Sequence, residues 1–278
     1  MPLRRLTVLV GGLVFVASIA AAQLPQLRGG NRPGRLTNAL RWARPEDFDG
    51  AFVFCRLYYD SHPWGSGGSW GVDYPRADVN FPFRLSELTT TSVSRDSTGE
   101  YNHVLVTGAD PLLFHCPFVM MTEPGRADFS PAEIAGLRNY LLKGGFLWVD
   151  DFWGTNEWNN FEEQMSAVLP PGQYPIKDLP LSHPVFSSLY DIKHLTQIPN
   201  IGFWTSTGGA TSEHGYDSAE PHVRGISDDR GRLMVIITFN TDFGDAFERE
   251  GDNHQYFLAF APDGYAFGVN TLLYAFSH

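Results

Sequence analysis

Short continuous apolar runs alternate along the chain with segments of helical periodicity. The runs at 51–59 (broken only by Arg56), 103–107, 117–122, 146–149 and 232–240 predict strands buried on both faces, as in a parallel sheet. Ala77, Phe81, Leu85 and Leu88 share one face over 76–90, which predicts a helix that Pro82 breaks or kinks. A single helical turn is expected over 110–114. The clearest unit is SPAEIAGLRNYLLKGGFLWVDDFWG, 130–154. Ser130 stands at N-cap, Pro131 at N1 and Glu133 at N3, and Ile134, Leu137 and Leu141 form a buried stripe. Gly144-Gly145 ends this helix, and the strand that follows terminates in two adjacent aspartates. Thr155 or Asn156 caps a further helix to about Leu169, and a final helix is predicted over 264–276. The stretch 170–221 reads as irregular, with short strands, an added flap and a flexible part at 206–219, and 242–252 is acidic and polar. Strands alternating with helices at this spacing predict an α/β fold built from parallel βαβ units.

The ends and the charge refine this picture. Arg4 and Arg5, an apolar run over 6–19 and Ala20-Ala21-Ala22 predict a signal peptide over 1–22, cleaved after Ala22, and so a periplasmic or secreted protein with no integral membrane anchor. Residues 23–48 read as a linker or N-terminal arm, and 49–278 as a single α/β domain. The formal net charge is −11 and becomes more negative once Arg4 and Arg5 leave, which argues against nucleic acid or an anionic membrane as the main partner. Cys55 and Cys116 are the only cysteines. An oxidising compartment permits a disulfide, but with Cys55 in mid-strand, two separate thiols are the default expectation.

Ligands gather at the carboxyl ends of strands in open α/β sheets, which singles out Asp150 and Asp151. An aspartate there can bind a divalent cation, accept a sugar hydroxyl or act as a general base; it can also simply satisfy turn amides. Glu123 ends the preceding strand and could converge with Asp150. Arg56, inside an apolar strand, must be paired, with Asp60 or Asp150 as the expected partner, or else clamp an anionic ligand. His183, held extended before Pro184, is a candidate acid–base group or a structural support. Trp64 and Trp70 lie in a glycine-rich loop and Trp153 follows the aspartates; all three are candidate stacking surfaces. Asp73 and Arg76 belong to a charged run that could contact ligand, or Asp73 or Asp78 could cap the first helix. Asn240, Asp242 and Asp245 cluster after the last apolar strand, without the spacing of an EF-hand loop. The sequence has no G-x-S-x-G, P-loop or H-E-x-x-H motif, and the glycines at 65–68 do not form a dinucleotide fingerprint.

The helix–Gly-Gly–strand unit resembles the signature of class I glutamine amidotransferase-like folds, including the trehalose-utilisation (ThuA-like) branch, and SHPVF at 182–186 resembles that branch's His-Pro-aliphatic motif. More closely, FCRLYYD, DYPRADVNFPFRLSELT, PFVMMTEPG, GGFLWVDDFWG, RGISDDRGRLMVIITFNTDFGDAFE and FGVNTLLYAFSH resemble the bacterial domain of unknown function 4159. The resemblance implies a three-layer, flavodoxin-like parallel sheet with helices on both faces. It supplies no activity, and Asp150 or Asp151 stands where an amidotransferase keeps its cysteine. The preferred function is a non-catalytic binding module for a small polar molecule or carbohydrate in an acidic, aromatic crevice. Alternatives are a hydrolase of a carbohydrate or ester, metal-assisted through a divalent cation, using Asp150, Asp151, Glu123 and His183, and a protein-interaction component of an envelope assembly.

Overall fold

The computed structural model describes residues 40–278. The expected signal peptide and most of the expected arm lie outside the described residues. The elements are β1 (Phe54–Leu57), β2 (Asp60–Ser61), α1 (Arg76–Leu88), β3 (His103–Val106), β4 (Val119–Thr122), β5 (Ala127–Asp128), α2 (Pro131–Leu142), β6 (Leu147–Asp150), α3 (Gly154–Val168), β7 (Lys177–Asp178), α4 (Ile201–Thr207), β8 (His222–Ser227), β9 (Leu233–Phe239), α5 (Phe243–Glu248) and α6 (His254–Ser277). A seven-stranded sheet runs in the order β3-β1-β4-β6-β9-β8-β7. The pairs from β3 to β9 are parallel, and β8 and β7 extend the sheet antiparallel. Numbered among themselves, the parallel strands follow the 2-1-3-4-5 order of flavodoxin-like sheets. Backbone bonds from Ala43 to Leu105 and from Leu105 to Arg41 extend the β3 edge.

Alternation of side chains across each strand builds the layers. Cys55, Leu57, Met121, Leu147, Val149 and Ile237 meet Leu137 and Tyr140 of α2 and Phe161 and Met165 of α3 on one face. Phe54, Met120, Trp148 and Ile236 meet Phe81 of α1, Phe247 of α5 and Phe267 of α6 on the other. This is an α/β fold with helices on both faces of a mostly parallel sheet. The Ser130–Glu133 capping box forms as the sequence predicts. Pro82 and Pro262 sit inside continuous helices. α6 begins ten residues before the expected Gly264, because Asn253 caps it and Tyr256, Phe260 and Ala261 are buried. α3 is capped by distant groups rather than by its own Thr155 or Asn156: Asp217 accepts from the Thr155 N–H, and Asn240 from the Gly154 N–H. Among the described residues, no helix is long and apolar enough to cross a membrane.

The expectation of two separate thiols is overturned. Cys55 and Cys116 form a disulfide, with Cα atoms 6.1 Å apart. β1 and β4 are neighbours in register Cys55↔Val119, which brings Cys116, just before β4, over Cys55.

Candidate functional site

The carboxyl edge of the sheet is held in a rare backbone conformation. Four non-glycine residues have positive φ: Asp73 (64°), Glu123 (54°), Asp151 (57°) and Asn240 (60°). Glu123, Asp151 and Asn240 each directly follow a strand, β4, β6 and β9 respectively, and these strands are adjacent. Left-handed backbone disfavours side chains with a Cβ, and its concentration at one place marks a constrained site.

Asp150 is fully buried, with both oxygens occupied. The Thr238 hydroxyl donates to Oδ1 at 2.5 Å and the Gly244 N–H to Oδ2 at 2.9 Å. Asp151 Oδ1 accepts from the Trp153 indole at 3.0 Å. Glu123 carries a buried Oε2 that has no hydrogen-bond partner. Gly67 leaves the space for that oxygen, since a Cβ there would lie 2.5 Å from it. Beside these groups, Asp73, Asp242 and Asp245 each present one carboxylate oxygen, all within 4.8 Å of one another, and all three residues are buried. Asp242 accepts from the Asp245 N–H, Asp245 accepts from the Ile201 N–H, and Asp73 Oδ2 is buried with no partner.

So many carboxylates out of water repel one another and lack solvation, and both effects favour the protonated form. Burial first, then facing carboxylates, holds Asp73, Asp151 and Asp242 well above the usual range. Burial pushes Asp150 up to about 7 in spite of its hydrogen bonds. The nearby guanidinium, Arg56, is already committed to Asp78. Chemically, the cluster can hold protons or a hard cation.

Residues 53–276 match the family described as a domain of unknown function, DUF4159. The chain belongs to this family. No curated protein matches it.

The other predicted residues are placed as follows. Arg56 pairs with neither Asp60 nor Asp150. It points to the α1 face of the sheet, where its Nε lies 2.9 and 3.0 Å from the two oxygens of Asp78 on α1. Asp73 and Asp78 do not cap α1, whose N-cap is Pro75. Asp60 is exposed in β2, opposite Asp128 of β5. Arg76 reaches Asp252 at 3.2 Å on the surface. Trp70 packs between Tyr58 and Tyr74, and Trp153 is buried, so neither is an open stacking surface. Trp64 is 87% exposed. His183 is removed from the site: its ring lies 5.5 Å from Tyr274, whose hydroxyl accepts from Leu233 N at the amino end of β9, the opposite edge of the sheet. The segment predicted as flexible is tied across the carboxyl edge, with the Asp217 carboxylate accepting from the Thr155 N–H and hydroxyl and Gln197 donating to Ser218 O and Asn240 O.

Sequence reasoning missed Thr238, Gly244, Glu157 and Glu213. Glu157 accepts from Trp153 N at 2.6 Å, and Glu213 from Asn200 N at 2.5 Å. A glutamate in the first turn of α3 was a visible signal for Glu157; for the other three, nothing local gave one.

Glu123 yields a pH prediction. Burial, then Glu157, Glu213 and Asp150, push its carboxyl up from 4.5 to about 8 against one N–H donated by Gly68. The native state therefore keeps a proton that the unfolded chain loses. This stability is fully present below the ordinary carboxylate range and is lost as the pH rises from 4.5 to about 8. Its slope is at most ~1.4 kcal/mol per pH unit per proton. The urea midpoint is expected to fall through that window, with Glu123→Gln removing one proton's share of the slope. A midpoint that stays level in the wild type contradicts this.

Proposed function

We propose that this protein is an exported, non-catalytic binding module of class I glutamine amidotransferase-like (ThuA-like) fold, holding a small polar ligand at the carboxyl edge of its sheet. The observation that carries the reading is the convergence of four strained, polar, non-glycine residues, Asp73, Glu123, Asp151 and Asn240, on one edge. Binding is favoured over hydrolysis for two reasons: both oxygens of Asp150 serve as hydrogen-bond acceptors within the fold, and His183 stands at the other edge. Export is supported by the leader pattern and by the disulfide, a bond that persists in oxidising compartments. A second reading, docking in an envelope assembly, is favoured by the exposure of Trp64 alone.

The test is a thermal-shift screen with sugars, polyols, amines and divalent cations, run beside a panel of chromogenic glycosides and esters. A ligand at a hundred times its Kd contributes about 2.7 kcal/mol and raises Tm by roughly 5–10 °C. The expected result is a shift that Asp151→Asn abolishes, with no turnover. Turnover that Asp150→Asn eliminates would replace this reading with the hydrolytic one.

A further inference from the structure

We infer that the species bound at this edge is a hard divalent cation, of the calcium, magnesium or manganese class, held by Asp73, Asp242 and Asp245; this rests on the binding-module reading. Three side chains from two distant parts of the chain put oxygens within 4.8 Å of one another. Oxygens on opposite sides of a calcium ion stand roughly 4.6–5.2 Å apart, and across magnesium about 4.0–4.2 Å, so the spacing fits ligands of one ion. The donors are all carboxylates, the chemistry of hard cations rather than of zinc or copper.

A crowd of acids is not by itself a site. The independent observation is Asp73 Oδ2. It is buried, it has no hydrogen-bond partner, and it belongs to a residue only 6% exposed. The backbone around it is shaped to hold it there. Asp73 adopts positive φ, and its Oδ2 approaches Gly244 so closely that a Cβ on Gly244 would lie 2.1 Å away. An unpaired buried carboxylate oxygen is expensive, yet the left-handed backbone of Asp73 and the room left by Gly244 keep it in place instead of relieving it. Local positive charge does not answer it. Arg56 spends Nε and Nη2 on Asp78 and Nη1 on Thr122 and two carbonyls. Arg249 divides itself among Asp245, Glu248 and Asp252. The other titratable groups facing the cluster, Asp150, Asp151 and Glu248, are acids too and bring no cation to it. A divalent cation supplies the missing partner and the missing charge together.

The test uses purified protein stripped with EDTA, then titrated calorimetrically and melted with Ca²⁺, Mg²⁺ or Mn²⁺. The expected result is one saturable site and a Tm increase of several degrees, both lost in Asp73→Asn. The order of stability should also invert. Without cation, Asp73→Asn melts no lower than the stripped wild type, because it swaps a crowded buried acid for a neutral amide and takes no hydrogen bond from Oδ2; with cation, the wild type is the more stable. Asp242→Asn, which keeps the cap on Asp245 N, serves the same purpose if Asp73→Asn does not fold. The proposal is overturned if none of the three cations binds the stripped protein, or if the neutralising variants titrate like the wild type. If cations fail while a polar organic ligand still shifts Tm and Asp151→Asn abolishes that shift, the cation falls and the binding module stands. If neither class of ligand shifts Tm, both fall.

Discussion

Arg56→Met is expected to lower stability by roughly 3–5 kcal/mol, because it strands a buried carboxylate rather than merely deleting a contact. Arg56 and Asp78 are both fully buried. Besides Asp78, the guanidinium donates to Thr122 Oγ1 at 2.7 Å, Trp70 O at 3.2 Å and Val72 O at 3.0 Å. One side chain thus ties β1 to α1, to β4 and to the tryptophan-rich loop. Arg56→Lys should recover little, since a single ammonium cannot span acceptors set for a planar fork. Arg56→Met combined with Asp78→Leu should recover part of the loss, because no charge is then left without a partner. Urea unfolding of the three variants reads this directly. A single-mutant loss under about 1 kcal/mol, or a double mutant worse than the single, contradicts it. The effect should also reach the candidate site. Val72, whose carbonyl Arg56 holds, directly precedes Asp73, so a folded Arg56 variant should bind cation more weakly although no ligand has changed.

What could be read in the sequence follows the range of the interactions. The segment from Ser130 to Asp150 was legible because all its determinants are local: a capping box, an apolar stripe, a glycine stop and an apolar run. The rule that carboxyl ends of strands collect ligands pointed to Glu123, Asp150, Asp151, Asn240 and Asp242. The strand order then made β4, β6 and β9 neighbours, so those ends do lie side by side. Partner identity was not legible. Arg56 met an aspartate 22 residues away on the adjoining helix instead of the nearest strand-end acids. Local pattern left Asp73 as either a ligand contact or a helix cap, and packing against Gly244 decides it as a cluster member. His183 carried a recognisable motif, but its position is fixed by Tyr274 on α6, and nothing near 183 reveals that. The same is true of Thr238, an apolar-run residue whose hydroxyl turns out to secure Asp150. Local pattern specifies elements; the site depends on which elements become neighbours.

The cysteine pair belongs to that second category and gives the other large expected effect. The bond closes a loop with a sequence separation of 61. Loop-closure entropy for that length corresponds to about 4 kcal/mol, or roughly 10 °C in Tm for a chain of this size. The double variant Cys55→Ala with Cys116→Ala should lose about that much, plus the smaller penalty of two buried sulfur sites left underfilled. Cys55 is 0% and Cys116 1% exposed, so a reductant should reach the bond only when the core opens. Folded protein in mild reductant should therefore keep its bond over times short against unfolding, whereas unfolded protein should be reduced promptly and refold to the weaker state. Thiol titration under denaturing conditions, before and after reduction, checks the bond; paired melts check its contribution. Two titratable thiols in the unreduced protein, or equal melting temperatures for the wild type and the double variant, would refute the claim. Because the bond crosses from β1 to the segment feeding β4, it anchors the two strands between which the parallel order reverses. Its loss should loosen Arg56 and Thr122 on those same strands and thereby reduce the cation affinity of the carboxyl edge as well as overall stability.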